Sequence, residues 1–194
     1  MSGVDAVIAQ NPWIDSKRLG VMGASFGGYM TNWIISHTTR FVAAVPMASI
    51  SDLVSIEGTR DYAYSHTHDF GGDLFQNFDL YWKYSPLHYA ANVKTPTLIL
   101  HGEADQRVPI EQPEEWFRAL RHFNVPAEIV MFPREGHAGL LSGEPHHVVE
   151  TINWATYWFD RYLNQNMAAL PPDTVKKRVA TAADDTAPRS ELIQ

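Results

Sequence analysis

The sequence predicts an α/β fold in which a parallel β-sheet is flanked by helices. Short apolar runs of strand length alternate with longer segments whose apolar residues recur at helical spacing. An alternation of strands and helices favours a parallel sheet with right-handed crossovers. A Gly-x-Ser-x-Gly motif also stands between the first strand-like run and the helical segment that follows it.

The predicted elements follow one another along most of the chain. Helices are expected at residues 2–10, 29–37, 110–124 and 145–164, and strands at residues 18–22, 41–46, 97–101 and 127–132. Residues 50–92 are irregular and rich in aromatic side chains, and we expect short helices with long connections there. Most of these aromatic side chains are interpreted as covering the sheet, although such an insertion could also line a substrate pocket.

The segment 23–28, Gly-Ala-Ser-Phe-Gly-Gly, lies between a run predicted as a buried strand and a predicted helix. This context is that of a nucleophile elbow, the sharp turn that exposes a reactive serine. A strand that turns directly into a helix brings the residues two before and two after the turn into contact, so Gly23 and Gly27 carry no side chain. Ser25 is expected at the tip, in a strained backbone conformation above the helix N-terminus.

Length, charge and composition limit the class of protein. The 194 residues suffice for one domain with a sizeable core, and 45% apolar with 19% charged residues is ordinary for a globular protein. A net charge of −7 without a basic cluster argues against a nucleic-acid partner. The absence of cysteine excludes disulfides and thiolate catalysis, and it fits a cytoplasmic location. No signal peptide and no run of membrane-spanning length is recognised, so we expect no membrane partner.

A serine nucleophile needs a base and an orienting carboxylate, because its hydroxyl is almost never ionised at neutral pH. In a parallel sheet these groups are expected in loops at the carboxyl ends of later strands. Asp105 follows the third predicted strand, and His137 follows the fourth. The order Ser25, Asp105, His137 along the chain is that of the α/β-hydrolase fold. The sequence therefore predicts an α/β-hydrolase with these three residues as its catalytic triad.

With these motifs in place, the chain resembles the catalytic domain of the prolyl oligopeptidase family of serine peptidases, closest to its acylaminoacyl-peptidase-like branch. The resemblance covers about residues 3–164, and its matching motifs lie at residues 15–18, 23–31, 101–109, 135–137 and 158–159. It implies a serine-type hydrolase, either a peptidase or an esterase, that acts on a peptide or a small acyl ester.

The resemblance also implies roles for individual residues. Ser25 would be the nucleophile, His137 the general base and acid, and Asp105 the carboxylate that orients the imidazole. The backbone N–H of Phe26 would be one donor of the oxyanion hole. Arg107 matches an arginine that binds a substrate carbonyl in some family members, and a salt bridge that shapes the loop is an equal alternative.

Two histidine pairs raise the question of a metal site. His66 with His68, and His146 with His147, lack a nearby carboxylate at ligand spacing, so we interpret them as surface histidines. His101 closes the third strand before a glycine and is interpreted as structural. We therefore expect neither a metal nor a cofactor.

The chain departs from the family in its amino-terminal part. A complete α/β-hydrolase domain has about eight strands, whereas we can place four. Relative to the family, the first strands, the β-propeller and the segment that supplies a second oxyanion donor are missing. We expect residues 1–165 to form a partial α/β-hydrolase catalytic domain and residues 166–194 to form a disordered tail. The strand at 18–22 would present an apolar, unpaired edge, so the chain is expected to be part of a longer protein or a homo-oligomer.

Three functions are compatible with these features. The first is a serine hydrolase that cleaves peptide or acyl-ester bonds through an acyl-enzyme on Ser25. The second is a carboxylesterase that acts on short acyl esters with little peptidase activity. The third is a catalytically silent half-domain that serves as an assembly module, because a missing oxyanion donor removes about 2.7–4 kcal/mol of transition-state stabilisation. An intact triad disfavours the third.

Overall fold

The computed structural model describes residues 1–62, 66–172 and 179–180. Four parallel strands lie side by side in chain order and form the sheet. They are β1 (Gly20–Ala24), β2 (Ala43–Met47), β3 (Thr97–Gly102) and β4 (Ala127–Phe132). A two-residue strand, β5 (Val179–Ala180), pairs antiparallel with β4. The predicted α/β fold with a parallel sheet is confirmed.

Helices connect the strands and cover the sheet. They are α1 (Ser2–Gln10), α2 (Phe26–His37), α3 (Leu53–Thr59), α4 (Thr67–Phe70), α5 (Phe78–Lys83), the 3₁₀ helix Pro86–Asn92, α6 (Glu111–His122), α7 (Gly139–Ser142) and α8 (Pro145–Leu163). Local signals explain several boundaries. The Asp52 carboxylate accepts the first free N–H groups of α3, and Pro145 opens α8 at a position where no N–H is needed.

The core lies on both faces of the sheet, because successive side chains of a strand point to opposite faces. On one face, Trp116 and Leu120 of α6 pack with Ile99 of β3. On the other face, Trp154 of α8 packs with Leu98, the neighbour of Ile99 in the same strand. Each of these five side chains is at most 2% exposed. Because burying such a side chain contributes about 1.5–3 kcal/mol, the sheet is held most firmly around β3.

The first strand differs from its prediction. It spans Gly20–Ala24 rather than residues 18–22, and it is partly exposed rather than buried, with Met22 49% exposed. Among the described residues β1 pairs only with β2, so its outer edge is unpaired, as predicted. The difference in bounds arises because the small residues Gly23 and Ala24, which resemble loop residues in the sequence, continue the strand into the turn.

The carboxyl-terminal prediction lies mostly outside the described residues, which omit 173–178 and 181–194. Of the described part, Val179–Ala180 forms β5 against Ile129 and Val130. The disordered tail at 166–194 therefore stays a prediction. Within the part of the chain that the structure describes, no helix is both long enough and apolar enough to cross a membrane.

Candidate active site

The turn between β1 and α2 places Ser25 at the tip of the sheet. Ser25 has φ 58° and ψ −118°, a left-handed backbone conformation that is strained for a residue with a side chain. Its N–H donates to the Met47 carbonyl at the end of β2 (3.0 Å), and its carbonyl accepts from Tyr29 N–H (2.9 Å). The expected strain and the expected position above the helix N-terminus are both observed.

Glycine is required at this turn because two stretches of backbone come into contact. A Cβ on Gly23 would lie 2.5 Å from the Gly27 carbonyl oxygen, and a Cβ on Gly28 would lie 2.5 Å from the Met47 carbonyl oxygen. A Cβ on Gly27 itself would meet none of the described atoms within 4 Å. The predicted contact between Gly23 and Gly27 is thus observed, but the two positions that exclude a Cβ are Gly23 and Gly28.

The structure brings Ser25, His137 and Asp105 together in one chain of hydrogen bonds. His137 Nε2 lies 2.7 Å from Ser25 Oγ, and His137 Nδ1 lies 2.8 Å from Asp105 Oδ2. The three residues follow β1, β4 and β3, whose carboxyl ends meet at the same edge of the sheet. Such a chain allows the imidazole to take a proton from the hydroxyl while the carboxylate fixes its tautomer and stabilises its cation.

Asp105 is held in place by its own loop. Its side chain is fully buried, and its Oδ1 accepts from the N–H groups of Arg107 and Val108, both at 2.9 Å. Oδ2 is left to face His137 Nδ1. Both carboxylate oxygens are therefore engaged, which defines the direction in which the imidazole must point.

His101, the last histidine before this loop, is fully buried and lies 2.9 Å from the Val108 carbonyl through its Nε2. Burial lowers the pKa of His101, which keeps its imidazole neutral although Asp105 Oδ2 is 3.8 Å away. A neutral His101 leaves His137 as the imidazole whose positive charge Asp105 can stabilise. This placement fits the structural interpretation of His101.

Phe26 begins α2, so its N–H belongs to the first turn, whose N–H groups lack carbonyl acceptors within the helix. The helix dipole adds positive potential at that end, which suits a developing oxyanion. The Phe26 side chain is 70% exposed and stacks on Tyr29, with ring centroids 5.8 Å apart.

Arg107 is engaged in a salt bridge on the surface beside the triad. Its Nε lies 2.7 Å from Asp61 Oδ1 and its Nη2 lies 3.4 Å from Asp61 Oδ2, while its guanidinium carbon lies 5.8 Å from the Tyr62 ring centroid. The hydrogen bond to Arg107 lowers the pKa of Asp61 and raises that of Arg107. Asp61 N–H also donates to the Gln106 carbonyl (2.8 Å). The salt bridge that shapes the loop is therefore formed, and its carboxylate is that of Asp61.

The surface interpretation is wrong for one histidine of each pair, namely His147 and His66. His147 is 3% exposed and its Nδ1 lies 2.6 Å from the buried carboxylate of Glu135. His66 is half-buried, and its Nδ1 lies 2.6 Å from the fully buried carboxylate of Glu57. Glu135 and Glu57 lie 12 and nine residues before their histidines, so the spacing within each histidine pair does not indicate them.

One group of described residues could in principle hold a metal ion. Glu144, His146 and His147 each bring a ligand atom within 4.8 Å of the others. However, Glu144 is bound through both oxygens by Arg134, at 2.8 Å each. His147 Nδ1 is bound by Glu135. A metal would have to displace both partners, so the group is better described as an ion-pair cluster.

The chain is similar to several known peptidases. The uncharacterized peptidase YuxL of Bacillus subtilis is 46% identical over 164 residues, which are 84% of this chain and 25% of that protein. The acylamino-acid-releasing enzyme of Mus musculus is 29% identical over 157 residues, which are 76% of this chain and 21% of that protein. The chain thus spans about a quarter of the length of the curated relatives it matches.

A solved structure of the Pyrococcus horikoshii acylaminoacyl peptidase has a TM-score of 0.80 with this chain at 27% identity. The similarity covers 90% of this chain and 28% of that one, so the fold is that of part of an α/β-hydrolase peptidase. A family model described as the prolyl oligopeptidase family matches residues 1–166. The resemblance read from the motifs is confirmed, and the chain belongs to the prolyl oligopeptidase family.

Proposed function

We propose that this chain carries the catalytic centre of a serine peptidase that forms an acyl-enzyme on Ser25. The observation that supports it most directly is that His137 lies within hydrogen-bond distance of both Ser25 Oγ and Asp105 Oδ2. A structural serine would need neither a strained backbone nor an imidazole backed by a buried carboxylate. Peptides are the proposed substrates, since the relatives above are named as peptidases or as an acylamino-acid-releasing enzyme.

The reaction follows from the positions of the three side chains. His137 Nε2 removes the proton from Ser25 Oγ as the oxygen attacks the substrate carbonyl carbon, and Asp105 stabilises the imidazolium. The Phe26 N–H donates to the oxyanion of the tetrahedral intermediate. His137 then gives its proton to the leaving nitrogen or oxygen, which leaves an ester on Ser25. Water, deprotonated by the same imidazole, hydrolyses that ester and restores Ser25.

The surroundings of the nucleophile favour an apolar side chain on the substrate. The exposed Phe26 ring stacks on Tyr29, and Tyr29 packs against the same buried apolar cluster as the partly buried side chains of Ile50, Val54 and Phe70. These side chains place an apolar surface beside the reacting serine, so part of the aromatic-rich insertion is proposed to line the substrate site. Burial of an apolar substrate side chain there contributes about 25 cal/mol for each Å² removed from water.

Replacing Ser25 tests the proposed function. Ser25→Ala is expected to lower kcat on an aminoacyl anilide by at least about 10³-fold, because it removes the hydroxyl that His137 would activate. The same variant should lose labelling by a fluorophosphonate probe. Ser16→Ala, at an exposed serine nine residues earlier, is the matched control and should keep both properties. Full turnover in Ser25→Ala would overturn the proposal.

A second candidate function is a carboxylesterase. Comparing hydrolysis of p-nitrophenyl esters with that of aminoacyl anilides by the unmodified chain separates the two, since a peptidase cleaves the anilide and an esterase does not. The silent half-domain makes a third outcome, in which neither substrate is cleaved and the probe does not label Ser25. The formed triad hydrogen bonds disfavour that outcome.

A further inference from the structure

Glu135 lies two residues before His137, and its carboxylate is enclosed by the loop that carries the imidazole. The residue is 4% exposed. Its Oε1 accepts from the backbone N–H of Glu144 (2.8 Å) and lies 2.6 Å from Nδ1 of His147, which is 3% exposed. A carboxylate buried to this degree is tolerated only when such partners satisfy it, so the contacts define one arrangement of the loop.

Two glycines make room for the other carboxylate oxygen. A Cβ on Gly139 would lie 2.1 Å from Glu135 Oε2, and a Cβ on Gly143 would lie 2.0 Å from the same atom. The backbone between His137 and α8 is therefore wrapped tightly around the Glu135 side chain. The position of His137 is tied to that of the carboxylate, because any shift of one moves the segment that contacts the other.

The backbone of Glu135 contacts the second catalytic loop. Its carbonyl accepts from the Ala104 N–H (2.9 Å), one residue before Asp105. A Cβ on Gly102 would lie 2.3 Å from the same carbonyl oxygen, so the two loops touch without space between them. Glu135 thus joins the loop of Asp105 through its backbone and the loop of His137 through its side chain.

We propose that Glu135, paired with His147, is a positioning residue that sets the distance between His137 and Asp105. Its carboxylate bonds Glu144 N–H and His147, and it acts through the imidazole two residues later in the chain. The catalytic consequence rests on the proposed function, whereas the effect on the His137–Asp105 hydrogen bond does not. Displacement of a catalytic group by about 1 Å costs about 10²-fold in rate, so a loosened loop should lower kcat and leave substrate binding largely unchanged.

Substitution of Glu135 is the first test. Glu135→Gln and Glu135→Ala are expected to lower kcat by about 10-fold and 100-fold with KM within about twofold, measured on variants whose thermal melts show a folded chain. Glu111→Gln is the matched control, because it removes a carboxylate from an exposed position at the start of α6, outside this loop. It should change kcat by less than about twofold. An unchanged kcat in folded Glu135→Ala would overturn the proposal.

His147 offers a test by rescue. The ring packs edge-on against Phe132, with centroids 5.6 Å apart, so His147→Phe keeps an aromatic ring there and loses the donor to Glu135. His147→Asn keeps an N–H at the place of Nδ1. We expect kcat to fall in the Phe variant and to return to within about threefold of the unmodified chain in the Asn variant. Equal rates in both variants would show that the side chain only fills space.

A spectroscopic measurement separates this inference from the proposed function. The proton between His137 Nδ1 and Asp105 should give a far-downfield NMR resonance in the unmodified chain, whether or not the chain turns over a substrate. That resonance should shift or broaden in Glu135→Gln and in Gly143→Ala, where a Cβ would displace the carboxylate, and it should stay in Glu111→Gln. An unmodified chain with the resonance but without turnover overturns the proposed function alone. An unshifted resonance in both loop variants overturns the positioning role.

Discussion

The two sides of the sheet, β3 with β4 and β1 with its unpaired edge, differ in how deeply they are buried, although both contribute to the candidate active site. Strand β3 is buried along its whole length, and β4 is buried at all but one residue. Strand β1 has no fully buried residue and leaves one edge unpaired among the described strands. Asp105 and His137 extend from the buried side, whereas Ser25 extends from the open side. Packing places the proposed acid and base, while a strained backbone turn places the proposed nucleophile.

That turn is anchored from the inner side of the sheet. Ser25 N–H bonds the Met47 carbonyl of β2, and Gly28 approaches the same carbonyl closely enough to exclude a Cβ. Helix α2, which follows the turn, is anchored in the core by its side chain Ile35, which is 1% exposed. The nucleophile therefore depends on contacts with β2 and α2, and none of these contacts lies at the open edge.

The largest expected effect comes from the buried side. Asp105→Asn should lower kcat by about 10⁴-fold, because the amide no longer fixes the imidazole tautomer or stabilises its cation. Steady-state kinetics with a substrate cleaved by the unmodified chain measures the loss. Asp79→Asn, at an exposed aspartate of α5, serves as the control and should retain its rate. A loss of less than tenfold in Asp105→Asn would mean that Asp105, on the buried side, does not control the tautomer and charge of His137.

The next effect concerns the turn itself. Gly23→Ala should lower the free energy of unfolding by about 3 kcal/mol, because its Cβ would lie 2.5 Å from backbone that has little room to move. Gly27→Ala is the matched control, since a Cβ there meets none of the described atoms within 4 Å. Urea unfolding of both variants measures the difference. Equal stability would show that the open side can relax around the turn, and the contrast between the two sides would then fail.

The contrast also explains which features the sequence can predict. Strand β4 was predicted with the observed bounds, and α6 and α8 within two residues, because long buried elements carry a full hydrophobic period. The predicted bounds of β1 lie two residues before the observed bounds, because Gly23, which the turn requires, interrupts the apolar run.

The meeting of Ser25, Asp105 and His137 could be predicted because each of them follows a strand whose end the pattern marks. The pairs that support it could not be predicted in the same way. Glu135 with His147 and Asp61 with Arg107 are 12 and 46 residues apart, and contacts at such separations leave no periodic signal. Even so, Glu135 is the first residue of the Glu-Gly-His motif at residues 135–137, so its closeness to His137 is visible in the sequence.

A smaller effect is expected in the pH dependence of stability. Burial raises the pKa of Glu115, on the well-packed helix α6, from 4.5 to about 7, although a hydrogen bond from Ser51 opposes the shift. The folded state therefore binds this proton more tightly than the unfolded state. The stabilisation that Glu115 gives by binding its proton more tightly in the folded state is fully present below pH about 4.5. It is lost as the pH rises to about 7.

Glu115→Gln should remove this loss, because the amide cannot ionise. The side chain is partly exposed, so we expect a gain of about 1 to 2 kcal/mol at pH 8 rather than the full value of the shift. Urea unfolding at pH 5 and pH 8 measures it, with Glu114→Gln, its neighbour on the same helix, as the control. A pH dependence identical in Glu115→Gln and the unmodified chain would contradict the assignment.

The smallest change in stability, with the largest consequence for assembly, is expected at the open edge. Met22→Lys should alter the free energy of unfolding by less than about 0.5 kcal/mol, because the side chain is already 49% exposed. A lysine on an edge strand opposes pairing with a second strand. If copies of this chain associate through β1, light scattering should give a mass above 21.9 kDa for the unmodified chain and close to it for the variant.

Val149→Lys is the matched control, because Val149 is 56% exposed on α8 and gains the same charge away from the edge. Dissociation by Met22→Lys alone would mean that a second copy covers the edge beside the nucleophile. Equal masses in all three chains would mean that copies do not use it, and β1 would then be available to a strand from elsewhere in a longer chain. Fluorophosphonate labelling of Ser25 in the same samples decides whether the turn needs a second copy of the chain at the β1 edge. Labelling that survives in a monomeric variant would show that contacts with β2 and α2 alone hold the nucleophile.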